Sequence, residues 1–167
     1  MKKSLLILAL LSAGLVQAQV TTNLGATSDY RFRGISQTQN APAIQGGIDY
    51  AHKSGVYIGN WNSSVSSQLY TNGSGVESDL YAGYKKEVLG VTLDVGSYNY
   101  FYPRASVAKT NYDTKEIYAG VAKGPVSVKV SQSLGDYFAA SNSKGTRYFQ
   151  ADLAYPVAGT KVSVLAH

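Results

Sequence analysis

The run Val91-Thr92-Leu93-Asp94-Val95-Gly96-Ser97-Tyr98-Asn99-Tyr100-Phe101 decides how this chain folds. Val91, Leu93 and Val95 share one phase of a period-two pattern, and Thr92, Asp94 and Gly96 share the other. That is the signature of a β-strand with one apolar and one wet face. Outward from this stretch the pattern repeats. Val126, Val128 and Val130 alternate with Ser127, Lys129 and Ser131, and around Glu116 the apolar phase holds Ile117, Ala119 and Val121. Weaker segments of the same kind cover 20–33, 43–51, 55–65, 76–86, 110–122, 146–155 and 160–166, for about nine strands in all. No segment carries a sustained 3.6-residue apolar stripe bounded by caps. The expected fold class is all-β.

The links between these segments are turn chemistry: Asn40-Ala41-Pro42, His52-Lys53-Ser54-Gly55, Thr71-Asn72-Gly73-Ser74-Gly75, Lys123-Gly124-Pro125 and Ser141-Asn142-Ser143-Lys144-Gly145. Links near 88–90 and 123–125 are tight, whereas 102–110 and 134–145 are long. An antiparallel up-and-down barrel with short turns at one rim and longer loops at the other has this alternation.

With 167 residues the chain has room for one domain. It has no cysteine, which excludes disulfides, a thiol nucleophile and Cys-ligated metal centres. The formal charge of +5 comes without basic runs or a basic helix, so no nucleic-acid partner is expected. Residues 1–18 read as a secretory signal peptide: Lys2 and Lys3, the apolar run Leu5 to Leu11, then Val16-Gln17-Ala18 before cleavage at Gln19. That run is shorter than the ~20 apolar residues of a membrane-spanning helix. Residues 19–167 make up the expected barrel domain.

Alternation alone serves a soluble sandwich as well as a membrane barrel, and the buried face decides between them. The apolar phase is poor in large aliphatics, with Ala26, Gly46, Ala82, Ala119 and Ala151 among scattered Val, Leu and Ile. A close-packed core demands more volume than that; a smooth lipid-facing surface does not. Val91, Leu93, Val95, Ile117, Val126, Val128 and Val130 are therefore expected to face lipid. Tyr98-Asn99-Tyr100-Phe101-Tyr102, Tyr137-Phe138 and Tyr148-Phe149 are expected near strand ends, where amphipathic rings meet the membrane–water boundary. The opposite phase carries mixed charge: Asp29, Arg31 and Arg33 on the first strand, Glu77, Asp79 and Lys85 on the fourth, then Asp94, Glu116, Lys129 and Asp152. These ten are the expected lumen-lining residues, with ion pairing among them to offset the cost of burying charge.

The segment Ser28-Asp29-Tyr30-Arg31-Phe32-Arg33-Gly34-Ile35-Ser36-Gln37-Thr38 resembles the opening signature of the TorF-type porin family, small proteobacterial outer-membrane proteins. Similar agreement runs through Glu77-Ser78-Asp79-Leu80-Tyr81-Ala82-Gly83-Tyr84-Lys85, Leu93-Asp94-Val95-Gly96, and Glu116 to Lys129. The resemblance implies a Gram-negative outer-membrane β-barrel with passive passage of small hydrophilic solutes through a narrow polar lumen. Outer-membrane lipids and the barrel-insertion machinery are the partners it brings, and it brings no catalytic residues. Members of that family are longer, and outer-membrane barrels close on a strand ending in Phe or Trp. Here the chain stops at Val162-Ser163-Val164-Leu165-Ala166-His167, and an odd strand count departs from the even numbers of bacterial barrels. The expectation is a barrel truncated at its C-terminus.

An enzyme is not expected. His52 and His167 are the only histidines, so an outer-membrane hydrolase would have to pair one of them with a serine such as Ser54, Ser63 or Ser64. Glu77 and Asp79 form the nearest carboxylate pair, with neighbouring Lys or Arg as expected partners. No metal spacing or phosphate-cradling loop is present, and no cofactor is expected. A soluble periplasmic sandwich or lipocalin-like carrier and a non-conducting structural barrel remain the alternatives.

Overall fold

The computed structural model describes residues 19–156 and 163–166. The expected signal peptide, residues 160–162 of the last expected strand, and His167 lie outside the described residues. Nine strands form one antiparallel sheet in chain order: β1 (Gln19–Thr27), β2 (Ala43–Ala51), β3 (Val56–Ser64), β4 (Val76–Val88), β5 (Val91–Phe101), β6 (Thr114–Lys123), β7 (Val126–Ser133), β8 (Arg147–Pro156) and β9 (Ser163–Ala166). Each strand pairs with its sequence neighbours, and β1 and β9 are the two edges among the described residues.

The connections alternate in length. Links 52–55, 89–90 and 124–125 lie at one rim, and links 28–42, 65–75, 102–113 and 134–146 at the other. Leu89 and Gly90 both take positive φ (53° and 73°), the requirement of a two-residue type I′ hairpin whose twist matches its strands. Gly124 (φ 57°) opens the equally tight turn before β7.

Two strands are shorter than their alternation implies. The first ends at Thr27, because the Asp29 carboxylate accepts hydrogen bonds from the Ser36 hydroxyl at 2.6 Å and the Thr38 hydroxyl at 3.0 Å, and folds the chain back. Residues 31–32 and 35–36 then pair as a small hairpin turned at Arg33 (φ 49°) and Gly34 (φ 83°). The strand expected from 110 begins at Thr114, since 106–107 and 110–111 pair around Ala108 and Lys109, both in the left-handed region.

Burial is inverted relative to a water-soluble domain. Leu24 is 84% exposed and Phe149 74%, while Glu77 is fully buried and Asp79 and Glu116 are 2% exposed. Among the described residues no second layer covers the sheet, and its polar face is buried by curling and by the long links folded over it. The hydroxyls of Tyr57 on β3 and Tyr118 on β6 touch although two strands separate them. The core lies on this inner face, toward the rim of long links. Tyr30, Tyr70, Tyr100 and Tyr102 build it, with Ala43, Val65 and Ala105, and Phe32, Trp61 and Phe138 pack around them.

The tyrosines expected at strand ends are thereby corrected. Tyr98, Tyr100 and Tyr102 face inward because they share the phase of Asp94, and the Tyr100 hydroxyl donates to Glu116 there at 3.1 Å. Tyr148 also faces inward, over Arg33, while its neighbour Phe149 points out. The exposed tyrosines Tyr50, Tyr84 and Tyr155 lie on the outer face, in the half of the sheet nearer the short turns.

Candidate functional site: the polar inner face

Period two carries β4 inward at Glu77, Asp79, Tyr81, Gly83 and Lys85, and β5 inward at Asp94, Gly96, Tyr98 and Tyr100. On β6 and β7 the same phase holds Glu116, Tyr118, Lys129, Ser131 and Ser133, and on β8 it holds Gln150 and Asp152. Seven of the ten residues expected on the polar phase thus share one face. Asp29, Arg31 and Arg33 do not lie on the nine-stranded sheet; they belong to the 28–42 link, where Arg31 sits in its small hairpin. Of these, Arg33 still reaches the inner face, whereas Arg31 pairs with Asp29 at 2.7 Å on the outside of the link, its side chain 45% exposed. The seven residues expected on the apolar phase, Val91, Leu93, Val95, Ile117, Val126, Val128 and Val130, all point to the outer face, with Val91 and Val130 half-buried.

The inner face has two zones. Nearer the short turns it is more open and of mixed sign. The Tyr57 hydroxyl donates to Asp94 at 2.6 Å, Lys85 approaches the same carboxylate at 3.6 Å, and Tyr81 donates to Asp49 at 2.5 Å. The Lys129 ammonium lies 5.7 Å from the centre of the Tyr118 ring, and Asp152 accepts from Gln150 at 2.8 Å and from Ser127 at 3.2 Å.

Toward the long links the face is filled. Arg33 descends from the hairpin tip and forks onto Glu116, with both N–O contacts at 2.8 Å. Tyr137 accepts from the same guanidinium at 2.7 Å, and the Phe32 and Tyr148 rings sit 4.7 and 4.0 Å from it. Burial works against that charge, but Glu116 outweighs it and raises the guanidinium pKa. In the link itself, the Ser36 hydroxyl, with Thr38 and Arg31, holds the Asp29 carboxyl below the ordinary carboxylate range.

Glu77 and Asp79 meet here without the Lys or Arg partners expected for them: neither is in an ion pair among the described residues. Tyr30 donates to Glu77 Oε1 at 2.9 Å, while Glu77 Oε2, Asp79 Oδ1 and the Tyr102 hydroxyl are buried without hydrogen-bond partners. Their neighbours are phenols supplied by the links and by β5, and the alternation on β4 alone does not show them. Of the residues missed from sequence, Tyr57, Tyr100 and Tyr118 carry a readable signal in their phase, whereas Tyr30, in the 28–42 link, carries none.

Among the described residues no group of three His, Asp or Glu side chains is arranged to hold a metal ion. His52 Nδ1 lies 2.8 Å from Ser54 Oγ in the exposed 52–55 turn, and the same nitrogen accepts the Ser54 backbone N–H. These are the local bonds of a turn.

The arrangement is an antiparallel meander with an apolar outside and a polar, tyrosine-rich inside. The chain belongs to the bacterial family described as "Bacterial protein of unknown function (Gcw_chp)", whose model matches residues 13–167. Neither the curated proteins nor the solved structures contain a match.

Proposed function

We propose that this chain is an outer-membrane β-barrel of the porin type, with a narrow polar lumen for small hydrophilic solutes. The inverted burial carries the reading: a sheet that exposes Leu24, Ile44, Ile48, Ile58, Leu80, Val95 and Phe149 and buries Glu77, Asp79 and Glu116 suits hydrocarbon outside and water inside. The alternation of short and long links supports it, as do Tyr50, Tyr84 and Tyr155 at the short-turn end, where a ring of amphipathic side chains would meet headgroups. The resemblance to TorF-type porins points the same way. Outer-membrane lipids and the barrel-insertion machinery are then its partners, and the signal peptide its route of export.

Lys85, Asp94, Lys129 and Asp152 would set which solutes enter. One observation favours a second reading, a non-conducting barrel: the long-link end is filled by Tyr30, Phe32, Arg33, Tyr102 and Phe138. Fractionation tests the membrane assignment. Retention in the detergent-extracted outer membrane is expected, and release with the periplasm would leave a soluble carrier. Planar-bilayer recording separates the other two readings. A conducting protein should shift its reversal potential more with Lys129→Glu than with Lys144→Glu in the outer loop, whereas silence from folded protein favours the closed barrel.

A further inference from the structure

A shallow groove of about 380 Å³ crosses the outer face of β6, β7 and β8. Strand register arranges its walls in rows. Ile117, Gln132 and Arg147 form the row nearest the long links, Ala119, Val130 and Phe149 the next, and Val121, Val128 and Ala151 continue the line toward the short turns. Ala119 and Val130 floor the trough, Phe149 stands proud as one wall and Ile117 is the other, and Ala151 continues the outward row beyond its end.

The groove has one cationic end. Arg147 Nε donates to Gln132 Oε1 at 2.9 Å, which orients the guanidinium across β7. Its two terminal nitrogens have no acceptor among the described residues, and no acid pairs with it. Lys115, two residues beyond Ile117 on the same outward phase of β6, is a second exposed cation at the long-link end of this face. A planar guanidinium whose end-on pair of terminal N–H groups is free matches two phosphate oxygens. From Arg147 to Leu153 the strand rises roughly 20 Å at about 3.4 Å per residue, the scale of an extended acyl chain.

We propose that this groove is a binding site for a phosphate-bearing lipid of the leaflet at the long-link rim, with its headgroup on Arg147 and Lys115 and an acyl chain along Ala119, Val130 and Ala151. The proposal rests on the membrane-barrel reading. Charge complementarity singles out the lipid class: an apolar face alone would accept any acyl chain, but the one unpaired guanidinium at its end selects an anionic headgroup.

The test begins with the full chain folded into phosphatidylcholine vesicles and scored by heat-modifiable gel shift. Native mass spectrometry of the folded, detergent-extracted protein then measures retention of dimyristoyl phosphatidylglycerol against dimyristoyl phosphatidylcholine. The expected result is one retained phosphatidylglycerol, held roughly tenfold more weakly by Arg147→Gln while Arg104→Gln in the 102–113 link leaves it unchanged. Millimolar inorganic phosphate should not displace it, because the acyl chain contributes to binding. Equal retention of both lipids, or equal retention by Arg147→Gln and wild type, would overturn the site while the gel shift keeps the barrel standing. Displacement by phosphate alone would reduce it to an anion contact and overturn the lipid assignment. A chain that stays out of neutral vesicles and is monomeric and folded in buffer without detergent would overturn the barrel and the groove with it.

Discussion

Arg33 and Glu116, 83 positions apart in the chain, meet in a two-pronged ion pair with side chains only 12% and 2% exposed. The pair ties the hairpin of the 28–42 link to β6, and through Tyr137 and Tyr148 to the 134–146 link and β8. It joins the Tyr30 hydroxyl, which donates to Glu77 at 2.9 Å, in holding the link down onto the polar face.

Removing one partner leaves the other charge buried and unpaired, which costs about 3–5 kcal/mol. Glu116→Gln should therefore lower the denaturation midpoint of the folded protein and speed amide exchange across residues 28–42. Arg33→Lys should recover little of the loss, since an ammonium cannot reproduce the fork. Unfolding curves in detergent that match wild type for Glu116→Gln would show that the pair does not hold the hairpin.

Asp79 is predicted to behave in the opposite way. It is buried among phenols with one oxygen unpartnered and no cation beside it. Asp79→Asn keeps the shape, removes a buried carboxyl that no cation offsets and adds an amide donor where Glu77 Oε2 has none. The expected change is a gain of about 1–3 kcal/mol, the cost of an unsatisfied buried polar group. The same unfolding measurement decides it, and a loss of stability comparable to that of Glu116→Gln would refute the account of an uncompensated acid.

The strands were legible for a simple reason: their two faces meet different environments, so Val91-Thr92-Leu93-Asp94-Val95 alternates all along its length. The meander and the link lengths followed from the same reading. The 28–42 link was not legible, because Asp29-Tyr30-Arg31-Phe32-Arg33 also alternates, and the bonds that turn it run from Asp29 to Ser36 and Thr38, which a local pattern does not reveal. The tyrosines were misplaced for a different reason. Amphipathic rings suit a membrane boundary and a polar interior equally well, and only their phase relative to Asp94 tells the two apart. The acids of β4 lacked their expected cations because Lys85 lies farther along the strand, beside Asp94 instead.

Close approach between strands makes a third prediction. Gly96 lies directly opposite Tyr118, as Gly83 lies opposite Tyr57 and Gly59 opposite Tyr81, so each phenol covers a glycine on the adjacent strand. A Cβ on Gly96 would sit 2.5 Å from the Ala82 carbonyl oxygen and 2.6 Å from the Tyr118 hydroxyl. On Gly120 its nearest neighbour would be the Val128 carbonyl oxygen at 3.3 Å. Gly96→Ala should therefore destabilise by about 1–3 kcal/mol through overpacking, and Gly120→Ala by clearly less. Thermal melts followed by circular dichroism can rank them, and equal midpoints would mean that the phenol and its glycine are not tightly packed.

Acid should loosen the 28–42 link. The folded Asp29 pKa is depressed below its ordinary value of 3.8, first by the Ser36 hydroxyl and then by Thr38 and Arg31. A depressed carboxyl contributes stability that is fully present above the unfolded pKa and is lost as pH falls through the folded one. Between pH 7 and 5 amide exchange in this link should be unchanged once corrected for intrinsic rate, with protection falling only below pH 3.8. Asp29→Asn should remove that acid step. Its persistence in the variant would assign the transition to another carboxylate.

The two faces of one strand furnish the sharpest comparison. Leu93 points outward, 44% exposed, and Asp94 points inward, where Tyr57 and Lys85 meet it. If lipid covers the outer face, Leu93→Arg should cost about 2–4 kcal/mol near the bilayer midplane. Asp94→Asn keeps an acceptor for the Tyr57 hydroxyl and loosens only a half-exposed ion pair, a loss of about 1 kcal/mol or less. The order would reverse for a soluble sheet whose outer face meets water, where an arginine is harmless and the inner hydrogen bond matters more. Folding yield into phosphatidylcholine vesicles, read by heat-modifiable gel shift, should therefore fall sharply for Leu93→Arg and barely for Asp94→Asn. Equal yields would count against the membrane assignment.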